Sequence, residues 1–233
     1  MLKYLLKNST KSEFFNSLKY LLEQKTFNQK TMKKKDLEIF LQKIPDFEKP
    51  NPNLEQYITP AEIAADIIFT AAQFGDIENK VVLDLGCGTG IFSVGAYLGG
   101  AKKVIGIDID ENAIENAKKF IKQNKLDIDF IRSDIKNITL KCDTIIMNPP
   151  FGAQKSNIQA DRKFIEKGFQ LADVIYSLHL SKTIPFIQKM ISSLNGKIVF
   201  SKEYILRMKQ SFYFHEKRMK KFNVTLLRII TKK

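Results

Sequence analysis

The chain has 233 residues, 44% of them hydrophobic and 27% charged, with a formal net charge of +13. That length holds one large domain, or a domain with an appendage, and the composition excludes a disordered or fibrous chain. No run approaches the ~18 apolar residues of a membrane span, and Met1 to Lys7 has too short an apolar core for a secretory signal. The cysteines, Cys87 and Cys142, and the histidines, His179 and His215, show no metal-ligand spacing. No metal is expected, and the setting expected is reducing and cytoplasmic, with the nucleus open to a eukaryotic protein.

The charge is unevenly placed. Residues 1–35 hold nine Lys/Arg against two Asp/Glu, and residues 197–233 hold eleven against two, leaving the middle near neutral at −3. Two basic ends around such a body point to a polyanionic partner, or else to solvated surface lysines.

In chain order, residues 12–24 place Phe14, Phe15, Leu18, Leu21 and Leu22 on one helical face behind a possible Ser12 cap. Residues 25–35 are polar and Lys-rich and read as a linker. Met32 stands just before a complete domain start, so residues 1–31 read as an added basic helical extension, or as lying upstream of the true start, and 32–233 as the main domain. A short helix over Asp36 to Ile44 is broken by the proline-rich Pro45 to Pro52. The helix Ala61 to Phe74 carries Ile63, Ala64, Ile67, Ile68 and Ala71 as its apolar stripe.

Val81-Val82-Leu83 then reads as a buried strand, and Lys103 to Asp110 as a second. Glu111 to Asn124 is helical, Ile128 to Ile131 a third strand and Asp143 to Met147 a fourth. Arg162 to Ala172 is helical, Val174 to Leu178 a fifth strand and Lys182 to Leu194 a further helix. Lys197 to Leu206 and Phe222 to Ile230 form a two-strand ribbon around a basic connection. Strand alternating with helix implies an α/β fold with a parallel sheet wound by right-handed crossovers.

The chemistry concentrates at strand ends. Asp84-Leu85-Gly86-Cys87-Gly88-Thr89-Gly90 turns the first strand sharply into a helix, and its glycines let a ligand approach bare backbone. Ile91 stands where G-x-G-x-x-G would need its third glycine, which argues against a dinucleotide. Asp84 beneath the loop would repel a diphosphate but suits a cationic cofactor. Asp108, 22 residues after Gly86, is close to the ~20 expected of the acid that grips a ribose.

Asn148-Pro149-Pro150-Phe151 follows the fourth strand, at the carboxyl end where ligands sit in such sheets. The Asn148 side-chain oxygen and the Pro149 carbonyl can together accept both N–H bonds of a planar amino group. Pro150 stiffens the turn, and Phe151 offers a face on which a flipped base can stack.

The stretch from Asp84 to Gly90 resembles motif I of S-adenosylmethionine (SAM)-dependent methyltransferases. Together with Phe47-Glu48-Lys49-Pro50, Leu54-Glu55-Gln56-Tyr57, Thr59, Asp76 to Val81, Asp108 to Asp110, Met147 to Gly152, Tyr176 to His179, Phe214-His215 and Leu227-Arg228, it resembles the methyltransferase-like protein 5 family over about residues 32–231. The resemblance implies a Rossmann-like class I SAM-dependent methyltransferase, with a seven-stranded, mostly parallel sheet in the order 3-2-1-4-5-7-6 and an antiparallel last strand.

It further implies SAM as cofactor, bound by Gln56, Thr59, Gly86, Thr89, Ile91, Asp108, Asp134 and Ile135, with Asp84, Gly88 and Gly90 completing the loop. The implied activity is adenine-N6 methylation of small-subunit ribosomal RNA; the charge of the basic ends, independently, leads us to expect Lys217, Arg218, Lys220 and Lys221 to meet RNA phosphates. NPP(F/Y) also serves enzymes that methylate glutamine side chains or guanine N2, and local chemistry alone leaves those alternatives open. The family is covered on its third strand by a small zinc-binding methyltransferase activator. That edge is expected here to present the apolar Ile128 and Phe130, a hazard unless covered.

Overall fold

The computed structural model describes residues 32–48, 50–51, 54–151, 160–209 and 219–231. The helix expected over 12–24 lies outside them, as do Lys217 and Arg218. Residues 34–233 form one compact unit.

That unit is built on a seven-stranded sheet. Its strands are β1 (Val81–Leu85), β2 (Lys103–Asp108), β3 (Asp129–Arg132), β4 (Cys142–Met147), β5 (Ala172–Leu180), β6 (Lys197–Lys209) and β7 (Met219–Ile230). Their order across the sheet is β3-β2-β1-β4-β5-β7-β6. β3, β2, β1, β4 and β5 run parallel, and β7 is antiparallel to both β5 and β6. The expected topology is therefore present, with the terminal ribbon extending three residues further on each side of its connection.

β1 is central, and four of its five residues are buried. A strand covered on both faces needs a continuous apolar run, which Val-Val-Leu supplies. The helices are α1 (Lys34–Leu41), α2 (Ala61–Gln73), α3 (Ile91–Leu98), α4 (Glu111–Asn124), α5 (Ala160–Leu171) and α6 (Ile184–Ser193). α2 buries Ile63, Ala64, Ile67, Ile68 and Ala71, the stripe read from its spacing. α4 is capped by the Asp110 side chain, which accepts from the Asn112 N–H at 2.9 Å, and it ends on Lys125 in the left-handed region.

One expectation about the β3 edge is overturned. Ile128 and Phe130 are only 5% and 6% exposed, and the apolar side chain on the surface is Ile131, at 43%. Side chains alternate along a strand, so Ile128 and Phe130 share a face, and here that face is the inner one. Phe130 pairs with Gly106 across the ladder, and its ring fills the space that the missing side chains of Gly106 and Gly90 leave. A Cβ at either glycine would stand 2.4 or 2.7 Å from that ring.

Candidate functional site

The carboxyl ends of β1, β2 and β4 open onto a cavity of about 260 Å³. The loop after β1 forms its floor. There Gly88 takes φ +52°, and a Cβ would stand 2.8 Å from the Phe47 ring, so the backbone is bare where the cavity needs it. The loop is tied down from β2: the Gly86 and Cys87 N–H groups donate to the Ile107 carbonyl at 2.8 and 3.0 Å. Asp108 fixes it further, one carboxylate oxygen accepting from the Gly88 N–H at 2.8 Å and the other from the Asp110 N–H at 2.9 Å. Burial holds the Asp108 carboxyl above its usual range, and these backbone bonds oppose the rise.

The predicted cofactor residues divide into two groups. Gln56, Thr59, Gly86, Gly88, Thr89, Ile91, Asp108, Asp134 and Ile135 all line the cavity, whereas Asp84 and Gly90 do not. Asp84 is 1% exposed, and one of its oxygens accepts from both the Ser93 N–H at 2.8 Å and the Ser93 hydroxyl at 2.7 Å. Burial, partly offset by these bonds, pushes its carboxyl up to about 7. An acid swallowed by the first turn of α3 cannot meet a cationic ligand, so Asp84 braces the loop from below. Gly90 caps α3 in the left-handed region and backs onto Phe130.

Gln56 bridges two segments. Its amide donates to Asp110 Oδ2 at 2.5 Å and accepts from the Asn51 N–H at 2.7 Å. Asp134 lies across the cavity, held below the usual carboxylate range chiefly by the Lys136 N–H.

Of the NPPF residues, Asn148 and Pro150 line the cavity and Pro149 and Phe151 do not. Phe151 packs on the Tyr57 ring, with centroids 5.3 Å apart and planes tilted by 33°. The Asn148 amide nitrogen donates to Thr59 Oγ1 at 3.1 Å. Its carbonyl oxygen is buried with no hydrogen-bond partner among the described residues, and so is the Tyr57 hydroxyl. Thr59 thus turns Asn148 so that an acceptor remains unspent.

Of Lys217, Arg218, Lys220 and Lys221, Lys221 is exposed on β7, while Lys217 and Arg218 and the side chain of Lys220 lie outside the described residues. Phe47, Tyr57, Lys163 and Phe164 also line the cavity, although spacing assigned them nothing. For Phe47 and Tyr57 a signal existed, since both fall in segments that carry the family resemblance. Phe164 lies against Gly86, 3.1 Å from where a Cβ would stand, a contact that spans 78 positions of sequence and left no local trace. Among the described residues no helix is long and apolar enough to cross a membrane.

A bare glycine floor, a half-buried acid at the end of β2 and apolar walls fit SAM, whose adenosine needs close backbone approach and an acceptor for its ribose. Residues 64–172 match the Methyltransferase small domain family. The fold and the site define a class I SAM-dependent methyltransferase.

Relatives narrow this further. An uncharacterised protein of Methanocaldococcus jannaschii is 39% identical over 85% of this chain and 94% of its own. The rRNA N(6)-adenosine-methyltransferase METTL5 of Danio rerio is 37% identical over 84% of this chain and 98% of its own. A crystal structure assigned to an RNA methyltransferase of Pyrococcus horikoshii superimposes with a TM-score of 0.79, at 35% identity, over 86% of this chain and 98% of that one. The chain belongs to the methyltransferase-like protein 5 family.

Proposed function

We propose that this enzyme methylates the N6 amino group of an adenine in RNA, with small-subunit ribosomal RNA as its substrate. The observation that carries the reading is the unpaired, buried Asn148 Oδ1 at the cavity. A buried acceptor without a partner costs about 1–3 kcal/mol, and such groups call for an explanation beyond packing. A planar amino group provides one. Asn148 Oδ1 and the Pro149 carbonyl accept its two N–H bonds and draw the nitrogen toward sp3, so that its lone pair becomes available. Thr59 holds Asn148 in that orientation.

Bound SAM supplies the electrophilic methyl on its sulfonium. Asp108 accepts from the ribose hydroxyls with its remaining lone pairs, and Gln56, Gly86, Gly88, Thr89, Ile91, Asp134 and Ile135 line the rest of the cofactor's place. Phe151, braced by Tyr57, offers its face to a flipped base. The methylated nitrogen is a strong acid and releases its proton to solvent, so rate comes from positioning and electrostatics.

The relatives named as rRNA N(6)-adenosine-methyltransferases support the substrate. The basic extension 1–31, with Lys217, Arg218, Lys220 and Lys221, supplies phosphate contacts whose strength falls with salt. A ribosomal substrate implies a cytoplasmic enzyme, or a nuclear one in a eukaryote. The test is tritiated-methyl transfer to purified small ribosomal subunits, followed by nucleoside mass spectrometry. Label in N6-methyladenosine is expected; label confined to N2-methylguanosine or to protein glutamine would overturn the reading.

The β3 edge takes, in this proposal, a small zinc-binding methyltransferase activator that adds a strand. Ile131 is the exposed apolar side chain there, and the flanking charges of Asp129 and Arg132 are partly spent on Lys103 and Glu111. Co-expression with the activator should raise the melting temperature, and Ile131→Lys should abolish that gain while leaving the isolated protein folded. An unchanged gain would reject this edge.

A further inference from the structure

Three buried side-chain oxygens lack a hydrogen-bond partner among the described residues: Tyr57 Oη, Asp84 Oδ1 and Asn148 Oδ1. Asp84 lies beneath the loop, with its other oxygen held by Ser93. Tyr57 and Asn148 line the same cavity. The Tyr57 ring is seated on Phe151, 5.3 Å between centroids, so the hydroxyl is positioned by the same motif that carries Asn148. The two groups are neighbours, the Asn148 amide facing the Tyr57 oxygen, while the phenol proton and Asn148 Oδ1 each have no partner among the described residues. Burial, reinforced by the Glu55 charge, pushes the phenol well above its usual range, with the Asn148 amide drawing it back a little. The phenol therefore keeps its proton and is a donor.

A donor and an acceptor side by side, both unspent, match a ligand edge that presents an acceptor beside an N–H. We infer that Tyr57 reads the target base: its hydroxyl donates to the ring nitrogen next to the amino group from which Asn148 Oδ1 accepts. This rests on the adenine reading given above and goes beyond it by assigning the group that orients the base. Beside the adenine amino group stand N1 on one edge and N7 on the other, and both are acceptors. Beside the guanine amino group stand N3, an acceptor, and the N1–H donor, which would face the Tyr57 proton and leave both groups unsatisfied, so guanine is shut out from one of its two edges. A glutamine amide offers an acceptor on one side only. A site that hydrogen-bonds its substrate rejects one lacking the partner more strongly than a hydrophobic site can. Tyr57 thus selects the edge and orientation in which the target group enters, and its ring serves separately as a brace for Phe151.

The test uses the full-length enzyme and an RNA oligonucleotide carrying the methylated adenine, with that base replaced by 1-deazaadenine or 7-deazaadenine. Wild-type kcat/KM should fall about tenfold on one analogue, the scale of one hydrogen bond. Tyr57→Phe, which keeps the ring on Phe151, should lose about tenfold on adenine and nothing further on that analogue. Its SAM affinity should match wild type, and its melting temperature should be no lower, since the hydroxyl removed has no partner to lose. Equal wild-type rates on adenine and both analogues would overturn the inference without any variant, and so would a Tyr57→Phe loss of the same factor on every substrate. Absence of methyladenine from the wild-type product would overturn the adenine reading and this inference with it; methyladenine with a flat analogue response overturns Tyr57 alone.

Discussion

Asp76, Tyr176 and Arg228 form a buried polar cluster whose members answer one another. Arg228 donates twice to the Asp76 carboxylate, at 2.7 and 3.1 Å, and Tyr176 donates to it at 2.6 Å. The Asp76 carbonyl accepts from Thr144 at 2.7 Å, and the guanidinium lies 4.5 Å from the Phe74 ring centroid. Tyr57 and Asn148 form a second buried polar pair, and each keeps an oxygen unspent. The first cluster ties the loop before β1 to β4, β5 and β7, so its bonds serve the fold. The second faces a cavity, so its missing bonds mark where a ligand completes the structure. Satisfied buried polar groups rigidify, whereas unsatisfied ones cost stability and persist where function needs them.

If this contrast is right, the two clusters break in different currencies. The largest expected effect is Asn148→Ala, which should cut turnover on the order of 10³-fold, the scale of losing a preorganised polar contact to the reacting group. SAM affinity should stay within a few fold by calorimetry, and near-normal turnover would reject the role of Asn148. Arg228→Met should behave oppositely. Leaving Asp76 buried with a broken pair should cost about 3 kcal/mol, read as a fall in the denaturant midpoint, while kcat per folded molecule stays close to wild type. A turnover defect at full stability would erase the distinction between the clusters.

Asp108→Ala comes next and tests the boundary between them, because Asp108 both ties down the Gly88 loop and faces the cavity. Charge-assisted bonds are worth about 1.5–3 kcal/mol each, so the SAM dissociation constant should rise at least about 10- to 100-fold, the effect of losing one of them. An unchanged constant would reduce Asp108 to a brace.

Asp84→Asn should give the smallest change, visible only in the pH dependence of stability. The Asp84 carboxyl sits at about 7 when folded, against an ordinary 3.8. Between those values the folded state holds a proton that the unfolded state releases. Stability is therefore full below about pH 4 and falls as pH rises through 7, with a slope of about one proton at most. Melting curves across that window should flatten in the variant; an unaltered slope would place the titration elsewhere.

The elements and their order were legible because they rest on local rules. Val81-Val82-Leu83 reads as a strand from its apolar run, α2 from its apolar stripe, and the loop from glycines at every second position. The interval from Gly86 to Asp108 announces a nucleoside site because it measures one loop, one helix and one strand. Where local rules were stretched to cover contacts, they failed. Asp84 reads as a partner for a cation, yet the first turn of α3 closes over it and Ser93 takes its bonds. Ile128 and Phe130 read as an exposed edge, yet the pleat turns both inward, and Phe130 fills the room left by Gly90 and Gly106.

By itself, then, the sequence determined the succession of strands and helices, the bare glycine turn and the placing of Asp108 and Asn148 at strand ends. Each of these depends on periodicity or backbone conformation within a few residues. Only the tertiary structure decided which polar groups would find partners. Thr59 reaches Asn148 across 89 positions of sequence, Arg228 reaches Asp76 across 152, and Tyr57 comes to rest on Phe151 with its hydroxyl unanswered. Such pairings are set by the register of strands far apart in the chain, and no local pattern of residues encodes that register.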